Sequence, residues 1–264
     1  MTTSPAPSIA ELSWAYSTCP NDTFVFGALA LGLLVDYAIR TPYLGDIQQL
    51  NALALAGEPD VVKISAALYP KVAERYELLP VGSAFGIGLG PILVKRQGAS
   101  LPDDLSQSMV AVPGYTTTAH LLLTHFHPEV KRSAEVLFSE IPSRVVAGEF
   151  DAGVLIHEGR FTYEAAGLEL VEDLGKRWFD ECQLPLPLGL IGIRRSLPES
   201  LKTEVGASLA LAHRAPTPAL WAYIAEQAQI TDPEVIAQHI ATYVNAYTEN
   251  LGVDGRRALE LLLK

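Results

Sequence analysis

Residues 151–163 read DAGVLIHEGRFTY, a short apolar run that stops at a cluster of polar side chains. Residues 152–156 have the length and composition of a strand buried on both faces of a parallel sheet. The next positions carry His157, Glu158 and Arg160. Ligands of open α/β sheets bind at the carboxyl ends of the strands, so this stretch predicts an α/β fold with His157 at the ligand-binding edge.

His157 allows two interpretations. An imidazole exchanges protons near neutral pH, which makes this side chain a candidate general base. In the alternative interpretation the ring caps the strand, bonds to backbone and has no part in chemistry. The strand alone leaves both open.

Strands and helices alternate on either side of this stretch, which favours a parallel sheet. Strand-like runs occur at residues 60–65, 92–96, 109–112, 135–138, 168–171 and 190–194, and the pattern is helical from residue 198 onward. Two of the strands, 92–96 and 190–194, bracket a block with its own alternation. We therefore predict a larger discontinuous lobe of residues 1–96 and 190–264, a smaller inserted lobe of residues 97–189, and a ligand cleft between the lobes.

Polar residues at the ends of other predicted strands are candidate ligand contacts. Lys63 and Ser65 end the strand 60–65. Asn21 lies in a turn where it or Asp22 is expected to cap a helix over residues 23–33.

Three threonines, residues 116–118, precede a predicted helix over residues 119–126. Their hydroxyls lie beside several free amides, an arrangement that favours an anion such as a carboxylate. Simple N-capping is the alternative, and it needs only one of the hydroxyls.

The composition excludes several classes of partner. Hydrophobic residues make up 49% of the 264 residues, without a run long enough to span a bilayer. A formal net charge of -11 repels phosphate backbones, which argues against nucleic acid. The first eight residues lack the basic and apolar parts of a secretory signal. We expect a cytoplasmic protein that acts on a small molecule and does not bind membranes.

The cysteines and histidines do not predict a metal site or a disulfide. Cys19 and Cys182 are far apart in sequence and lack CxxC spacing. His120, His125 and His127 cluster at one short predicted helix without a carboxylate at ligand spacing. We therefore expect reduced thiols and no bound metal.

Short phrases spread over the chain carry a resemblance to a known family. They are CPNDTF at residues 19–24, KIS at 63–65, VPG at 112–114 with TTA at 117–119, IHEGRFTY at 156–163 and LPLPLG at 184–189. In order and spacing they resemble the 1,4-dihydroxy-6-naphthoate synthase family over nearly the whole chain. Members of that family act in the futalosine route to menaquinone and have the two-lobed fold of type II periplasmic binding proteins, so the resemblance implies that fold here.

The resemblance also implies an activity and a set of site residues. The activity is that of a carbon–carbon lyase, which takes cyclic dehypoxanthinyl futalosine and releases 1,4-dihydroxy-6-naphthoate with a three-carbon sugar fragment, dihydroxyacetone, using no metal or organic cofactor. His157 occupies the family's catalytic-base position. The family's ligand-contacting positions are occupied by Lys63, Ile64, Ser65, Thr117 and Thr118. Asn21 and Ser65 are our candidates for bonds to sugar hydroxyls.

This chain departs from the family pattern at two positions. The family more often has serine at the position of Gly159 and a bulky residue at the position of Thr116. These departures affect the expected shape of the pocket and leave the base in place.

Other classes of protein make different predictions. A non-catalytic solute-binding protein of the same fold predicts an export signal or a lipid-attachment cysteine, and neither is found near the start of the sequence. The effector domain of a transcription regulator needs a basic helix-turn-helix before residue 10, and these few residues leave no room for one. A chorismate dehydratase shares the architecture, and the pair His157 and Glu158 argues against it. A monomer and a homodimer both remain open.

Overall fold

The chain divides into two units in the computed structural model, which describes residues 8–34, 38–102, 105–214 and 216–264. The first eight residues, in which the sequence predicts no secretory signal, lie outside these ranges except for Ser8. The first unit comprises Met1–Ile64, Tyr69–Ala84 and Gly189–Gly252. The second unit comprises Ser65–Leu68, Phe85–Leu188 and Val253–Lys264.

Strands and helices alternate along much of the chain, and helices alone follow β11. The strands are β1 Trp14–Ser17, β2 Tyr43–Gly45, β3 Val61–Ser65, β4 Tyr76–Leu78, β5 Ala84–Gly86, β6 Ile92–Arg96, β7 Met109–Val112, β8 Arg132–Glu135, β9 Ala152–Leu155, β10 Leu168–Asp173 and β11 Leu186–Arg194. The helices are α1 Pro20–Ala30, α2 Ile47–Ala56, α3 Tyr69–Val72, α4 Thr118–Phe126, α5 Ile141–Val146, α6 Gly159–Thr162, α7 Leu174–Cys182, α8 Glu199–Ala212, α9 Pro218–Gln227, α10 Pro233–Tyr243, α11 Ala246–Glu249 and α12 Gly252–Leu262.

The sheet of the first unit has the strand order β2-β1-β3-β11-β4, and β5 also pairs with β11. β1 is parallel to both β2 and β3, so the carboxyl ends of these strands lie at one edge. All four residues of β1 and all five of β3 are buried, as expected for strands covered on both faces. The ring of Tyr16 stacks on that of Phe26 in α1 with centroids 4.4 Å apart, which fixes α1 against the sheet.

The sheet of the second unit has the strand order β10-β6-β9-β7-β8. β9 lies at its centre, parallel to β7 and antiparallel to β6. A hydrophobic cluster that includes Val94, Ala111, Ile141 and Val145 covers this sheet. Gly153 in β9 is needed there, because a Cβ would lie 2.6 Å from a methyl group of Ile141.

The predicted lobes and the units of the structure differ at residues 65–68, 85–96, 189 and 253–264. β6, predicted as a crossover of the larger lobe, pairs with β9 and β10 and is an inner strand of the second unit. The chain does cross between the units within β5 and within β11. Residues 253–264 belong to the second unit, whereas the prediction placed them in the larger lobe.

β8 covers Arg132–Glu135, three residues before the predicted strand 135–138. The prediction was wrong because it followed the apolar residues. The edge strand pairs on one side with β7 and has a polar, partly exposed sequence. The apolar side chain of Phe138 is buried beyond the end of the strand, next to His157.

Among the described residues, no helix combines the length and the apolar character needed to cross a bilayer.

Candidate functional site

The second unit brings several predicted site residues to one edge of its sheet. β7 and β9 are parallel, with Val110 opposite Ala152, so the residues that follow the two strands lie at the same edge. His157 follows β9, and Thr117 and Thr118 follow β7 at the start of α4. β6 runs in the opposite direction and begins at this edge. The placement of His157 at the carboxyl end of a parallel strand is as the sequence predicts.

The backbone of His157 has a φ of 55°, in the left-handed region that residues with a Cβ rarely adopt. This conformation costs on the order of 1 kcal/mol, and residues in it are enriched at active sites. The half-buried imidazole packs edge-on against the ring of Phe138, with centroids 4.9 Å apart. The strained backbone and the aromatic contact together fix the direction of the imidazole.

Arg160 ties the turn that contains His157 to the neighbouring strands. One guanidinium nitrogen of Arg160 donates to Oδ2 of Asp173 at 2.7 Å, and the other donates to the carbonyl of Gly90 at 2.8 Å. Asp173 ends β10, and Gly90 precedes β6. Arg160 therefore bonds one half-buried carboxylate and one buried backbone carbonyl.

The hydroxyls of Thr117 and Thr118 are both bonded to backbone. Thr117 is the N-cap of α4: its Oγ1 accepts from the amide of His120 at 3.2 Å and donates to the carbonyl of Gly114 at 2.7 Å. Thr118 Oγ1 accepts from the amide of Ala67 at 3.2 Å. The capping interpretation therefore holds for Thr117, and the carboxylate-binding role of the pair stays a prediction.

The first unit contains a second group of predicted site residues around Lys63. Its Nζ lies 2.8 Å from Oδ1 of Asp22 and donates to the carbonyl of Gly82 at 2.9 Å. Oδ2 of Asp22 accepts from the hydroxyl of Ser17 at 2.7 Å. The side chains of Lys63 and Asp22 are each only 3% exposed, so the two charges neutralise each other inside the protein.

Asn21 belongs to the same network. Its Nδ2 donates to Oδ1 of Asp22 at 2.8 Å, and its Oδ1 lies 3.0 Å from Nε2 of His239 in α10. The expectation that Asn21 or Asp22 caps the helix was wrong. α1 begins at Pro20, because proline fits the first helical position. Its N-cap is Cys19, and this cap has no side-chain hydrogen bond.

The remaining two predicted contacts are buried residues of β3. Ile64 is fully buried, and Ser65 is 2% exposed. By its contacts Ser65 begins a segment of the second unit, whereas Ile64 and Lys63 belong to the first.

Sequence reasoning missed the role of Asp22, although a signal was present. A lysine inside the apolar strand sequence VVKIS is expected to be buried, and a buried ammonium requires a carboxylate partner. β1 and β3 are parallel neighbours, so the acidic residue in the first turn of α1, just after β1, was the nearest candidate.

In the part of the chain that the structure describes, no group of three or more histidine, cysteine, aspartate or glutamate side chains is arranged to hold a metal ion. Cys19 is buried and Cys182 half-buried, and neither forms a disulfide bond within the described residues.

Comparison with known sequences relates the chain to menaquinone biosynthesis. Residues 12–264 match a protein family described as menaquinone biosynthesis. A 1,4-dihydroxy-6-naphtoate synthase of Streptomyces coelicolor is 42% identical over 268 residues, covering 97% of this chain and 93% of that protein. The protein of the same name from Thermus thermophilus is 41% identical over 255 residues, covering 95% and 92%.

Solved structures with a similar fold cover nearly the whole chain. A protein from Archaeoglobus fulgidus superposes with a TM-score of 0.86 at 33% identity, covering 95% of this chain and 94% of that one. A Candida albicans protein described as having the generic periplasmic binding protein fold superposes with a TM-score of 0.67 at 12% identity, covering 97% and 90%. The chain therefore has a periplasmic-binding-protein-like α/β fold, as predicted.

Proposed function

The chain belongs to the menaquinone biosynthesis family, and we propose that it converts cyclic dehypoxanthinyl futalosine to 1,4-dihydroxy-6-naphthoate and dihydroxyacetone with His157 as general base. Its curated relatives, at 41–42% identity over nearly the whole chain, are enzymes named for that product. The placement of His157 is the observation that carries the proposal. It lies at the carboxyl end of the central parallel strand, in a left-handed conformation and against Phe138.

The proposed reaction requires what this side chain offers. Breaking a carbon–carbon bond of a hydroxylated ring begins with loss of a proton from carbon or hydroxyl, and the released electron pair moves into a carbonyl. A positioned imidazole takes that proton and typically contributes about 10² to 10⁴ in rate. Formation of the aromatic product makes the overall step favourable. The proposed reaction uses no metal and no organic cofactor.

The start of α4 is the proposed site for the aromatic carboxylate. Thr117 holds the first turn by accepting the His120 amide, which leaves the neighbouring amides at the positive end of the helix to interact with an anion. The edge of the sheet that carries α4 also carries His157. A carboxylate bound at α4 would therefore fix the substrate in the part of the molecule that holds the base.

Lys63 is the proposed donor of the first unit. Its ammonium group has three N–H bonds, and Asp22 and the Gly82 carbonyl take two of them. The third is suited to a substrate oxygen. Asn21, bonded to both Asp22 and His239, is the proposed partner for a sugar hydroxyl through its amide group.

The purified protein incubated with cyclic dehypoxanthinyl futalosine tests the activity directly. We expect 1,4-dihydroxy-6-naphthoate to appear, followed by absorbance and mass, and no consumption of chorismate in a parallel reaction. Tight binding of cyclic dehypoxanthinyl futalosine, called the futalosine from here on, without product would instead make the protein a solute carrier of this fold. Consumption of chorismate would make it the dehydratase of the same architecture.

Thr118→Ala tests the carboxylate site, with Thr124→Ala as its control. Both residues lie on α4, and Thr124 is exposed with its hydroxyl bonded to backbone carbonyls of the same helix. We expect Thr118→Ala to raise KM for the futalosine while Thr118→Ser and Thr124→Ala leave it within about twofold. An unchanged KM in Thr118→Ala would remove Thr118 from the carboxylate site.

A further inference from the structure

We propose that Arg160 is the positioning residue for His157, a role that rests on the proposed function of His157 as base. Arg160 lies three residues after His157, in the short helix α6. The imidazole itself is attached to a turn that leaves the sheet after Leu155. An anchor at the far end of that turn restrains the backbone that carries the ring.

The two groups that Arg160 contacts are themselves fixed. Oδ1 of Asp173 accepts from the amide of Lys176 at 2.9 Å, which makes Asp173 the N-cap of α7. Gly90 lies against Gly175 so closely that a Cβ on Gly175 would be 2.1 Å from the Gly90 nitrogen. The guanidinium therefore bridges a helix cap and a close backbone contact, both of which resist displacement.

Backbone and side-chain bonds also hold the carboxyl end of the turn. The amide of Phe161 donates to the carbonyl of Glu158 at 2.8 Å, and the hydroxyl of Thr162 donates to the same carbonyl at 3.3 Å. Both bonds are local to the turn. Beyond the turn, the amide of Leu168 in β10 donates to the carbonyl of Tyr163 at 3.0 Å. Arg160 adds side-chain bonds to β10 and to the residue before β6, and β9 holds the other end of the turn through its pairing with β6 and β7. The left-handed His157 lies between these two anchors.

The contact depends on the shape of guanidinium. Its two terminal nitrogens bond a carboxylate and a carbonyl at the same time, at 2.7 and 2.8 Å. A lysine ammonium is a single point on a flexible stem and is a poor substitute at such a bridge. The side chains of Arg160 and Asp173 are 18% and 14% exposed, so water screens the pair only in part.

The test compares Arg160→Met, Arg160→Lys and Asp173→Asn with the control Arg144→Met. Arg144 forms an ion pair with Glu149 at 2.8 Å in the same unit, on α5 rather than on the His157 turn. We expect Arg160→Met to lower kcat by about 10- to 100-fold with KM within about threefold, because small displacements of a reacting group have effects of this size. Arg160→Lys and Asp173→Asn should show the same split, and Arg144→Met should behave as wild type.

A background lacking His157 distinguishes positioning from general damage to the fold. If Arg160 acts through His157, Arg160→Met should not lower further the residual rate of His157→Ala. Equal losses in both backgrounds, or an unchanged kcat in Arg160→Met and Asp173→Asn, would overturn the proposal. Asp173→Asn keeps a side-chain oxygen for the α7 cap, so it provides the same comparison if Arg160→Met does not fold.

Chemical modification provides a readout that does not depend on the reaction. Without substrate, the rate at which diethyl pyrocarbonate modifies His157 is measured by peptide mass, with the exposed His125 as internal reference. We expect Arg160→Met to change the His157 rate several-fold and leave that of His125 unchanged. A change at His157 in a protein without lyase activity would support the positioning role and contradict the proposed function. An unchanged rate at His157 would contradict the positioning role.

Discussion

Lys63 Nζ and Asp22 Oδ1 lie 2.8 Å apart, and both side chains are 3% exposed. The two residues come from β3 and α1, so this buried ion pair joins the centre of the first sheet to the helix that follows β1. Breaking a buried pair by removing one partner is strongly destabilising, whereas replacing both partners with apolar residues is often neutral.

We predict that Asp22→Leu lowers the free energy of unfolding by about 3–5 kcal/mol, because it leaves the Lys63 ammonium buried without its carboxylate. The double variant Asp22→Leu with Lys63→Met should recover more than half of that loss. Urea unfolding of the three proteins measures both effects.

The double variant also separates stability from function. A folded double variant should bind the futalosine at least about tenfold more weakly, since it lacks the proposed donor. Wild-type affinity in that protein would give Lys63 a structural role alone. If the double variant were no more stable than Asp22→Leu, the unpaired charge would not be the cause of the loss.

Gly189 provides a second test of Lys63. A Cβ at this position would lie 2.7 Å from Cε and 3.5 Å from Nζ of Lys63. We predict that Gly189→Ala displaces the ammonium and raises KM for the futalosine by about tenfold or more, measured by steady-state kinetics.

The matched control is Gly206→Ala in α8, where no described atom outside the neighbouring backbone of the helix lies within 4 Å of the added carbon. Because alanine favours the helix, the control should gain about 0.5–1 kcal/mol of stability and keep its KM. A raised KM in the control, or an unchanged one in Gly189→Ala, would argue against displacement of Lys63.

Gly159→Ser should be tolerated, although the residue lies next to the proposed catalytic turn. An added Cβ would meet Leu155 at 3.5 Å, an ordinary van der Waals distance. We predict a Tm within about 2 °C of wild type and a kcat within about threefold, measured by thermal unfolding and product formation. A large loss of activity would show that the turn needs glycine, contrary to the spacing around this position.

From the buried hydroxyls of Tyr16 and Tyr223 we predict that the protein loses stability at alkaline pH. Their hydroxyls lie 2.8 Å apart, and burial raises the pKa of both, that of Tyr16 most. A pKa raised on folding means that the folded protein holds these protons more tightly than the unfolded chain. Their contribution to stability is therefore complete below the ordinary tyrosine pKa of about 10 and is lost as the pH rises above it.

Tyr16→Phe should accordingly be less stable than wild type at pH 8 and lose less stability between pH 9 and pH 11. Urea unfolding at several pH values measures the slope. Equal slopes for the two proteins would mean that other groups cause the alkaline loss.

The sequence predicted the local elements of the second sheet better than their partners. The apolar runs at β6, β7 and β9 are long enough to be recognised as buried strands, and the helix over α4 follows from its apolar pattern. The strand partners of β6 could not be predicted, because antiparallel pairing with β9 and β10 depends on tertiary contacts between segments distant in sequence. The units therefore divide within β5, where the sequence suggested β6.

The same limit applies to the site. The position of His157 follows from a strand that ends in polar residues, but its left-handed backbone and its contact with Phe138 are set by the surrounding fold. The carboxylate that Arg160 bonds, that of Asp173, is 13 residues away in β10, and no local sequence pattern indicates the pairing. The burial of Lys63 was readable from the apolar sequence around it, which also required an acidic partner such as Asp22.

The kcat of His157→Ala, measured as 1,4-dihydroxy-6-naphthoate formed from cyclic dehypoxanthinyl futalosine, tests the central proposal most directly. Binding of the futalosine to the variant is measured in parallel by calorimetry. We predict that kcat falls by about 10²-fold or more while the affinity stays within a few-fold of wild type, because the variant lacks the base and keeps the groups that bind the substrate. A kcat within about twofold of wild type would contradict the account and place the base at another residue.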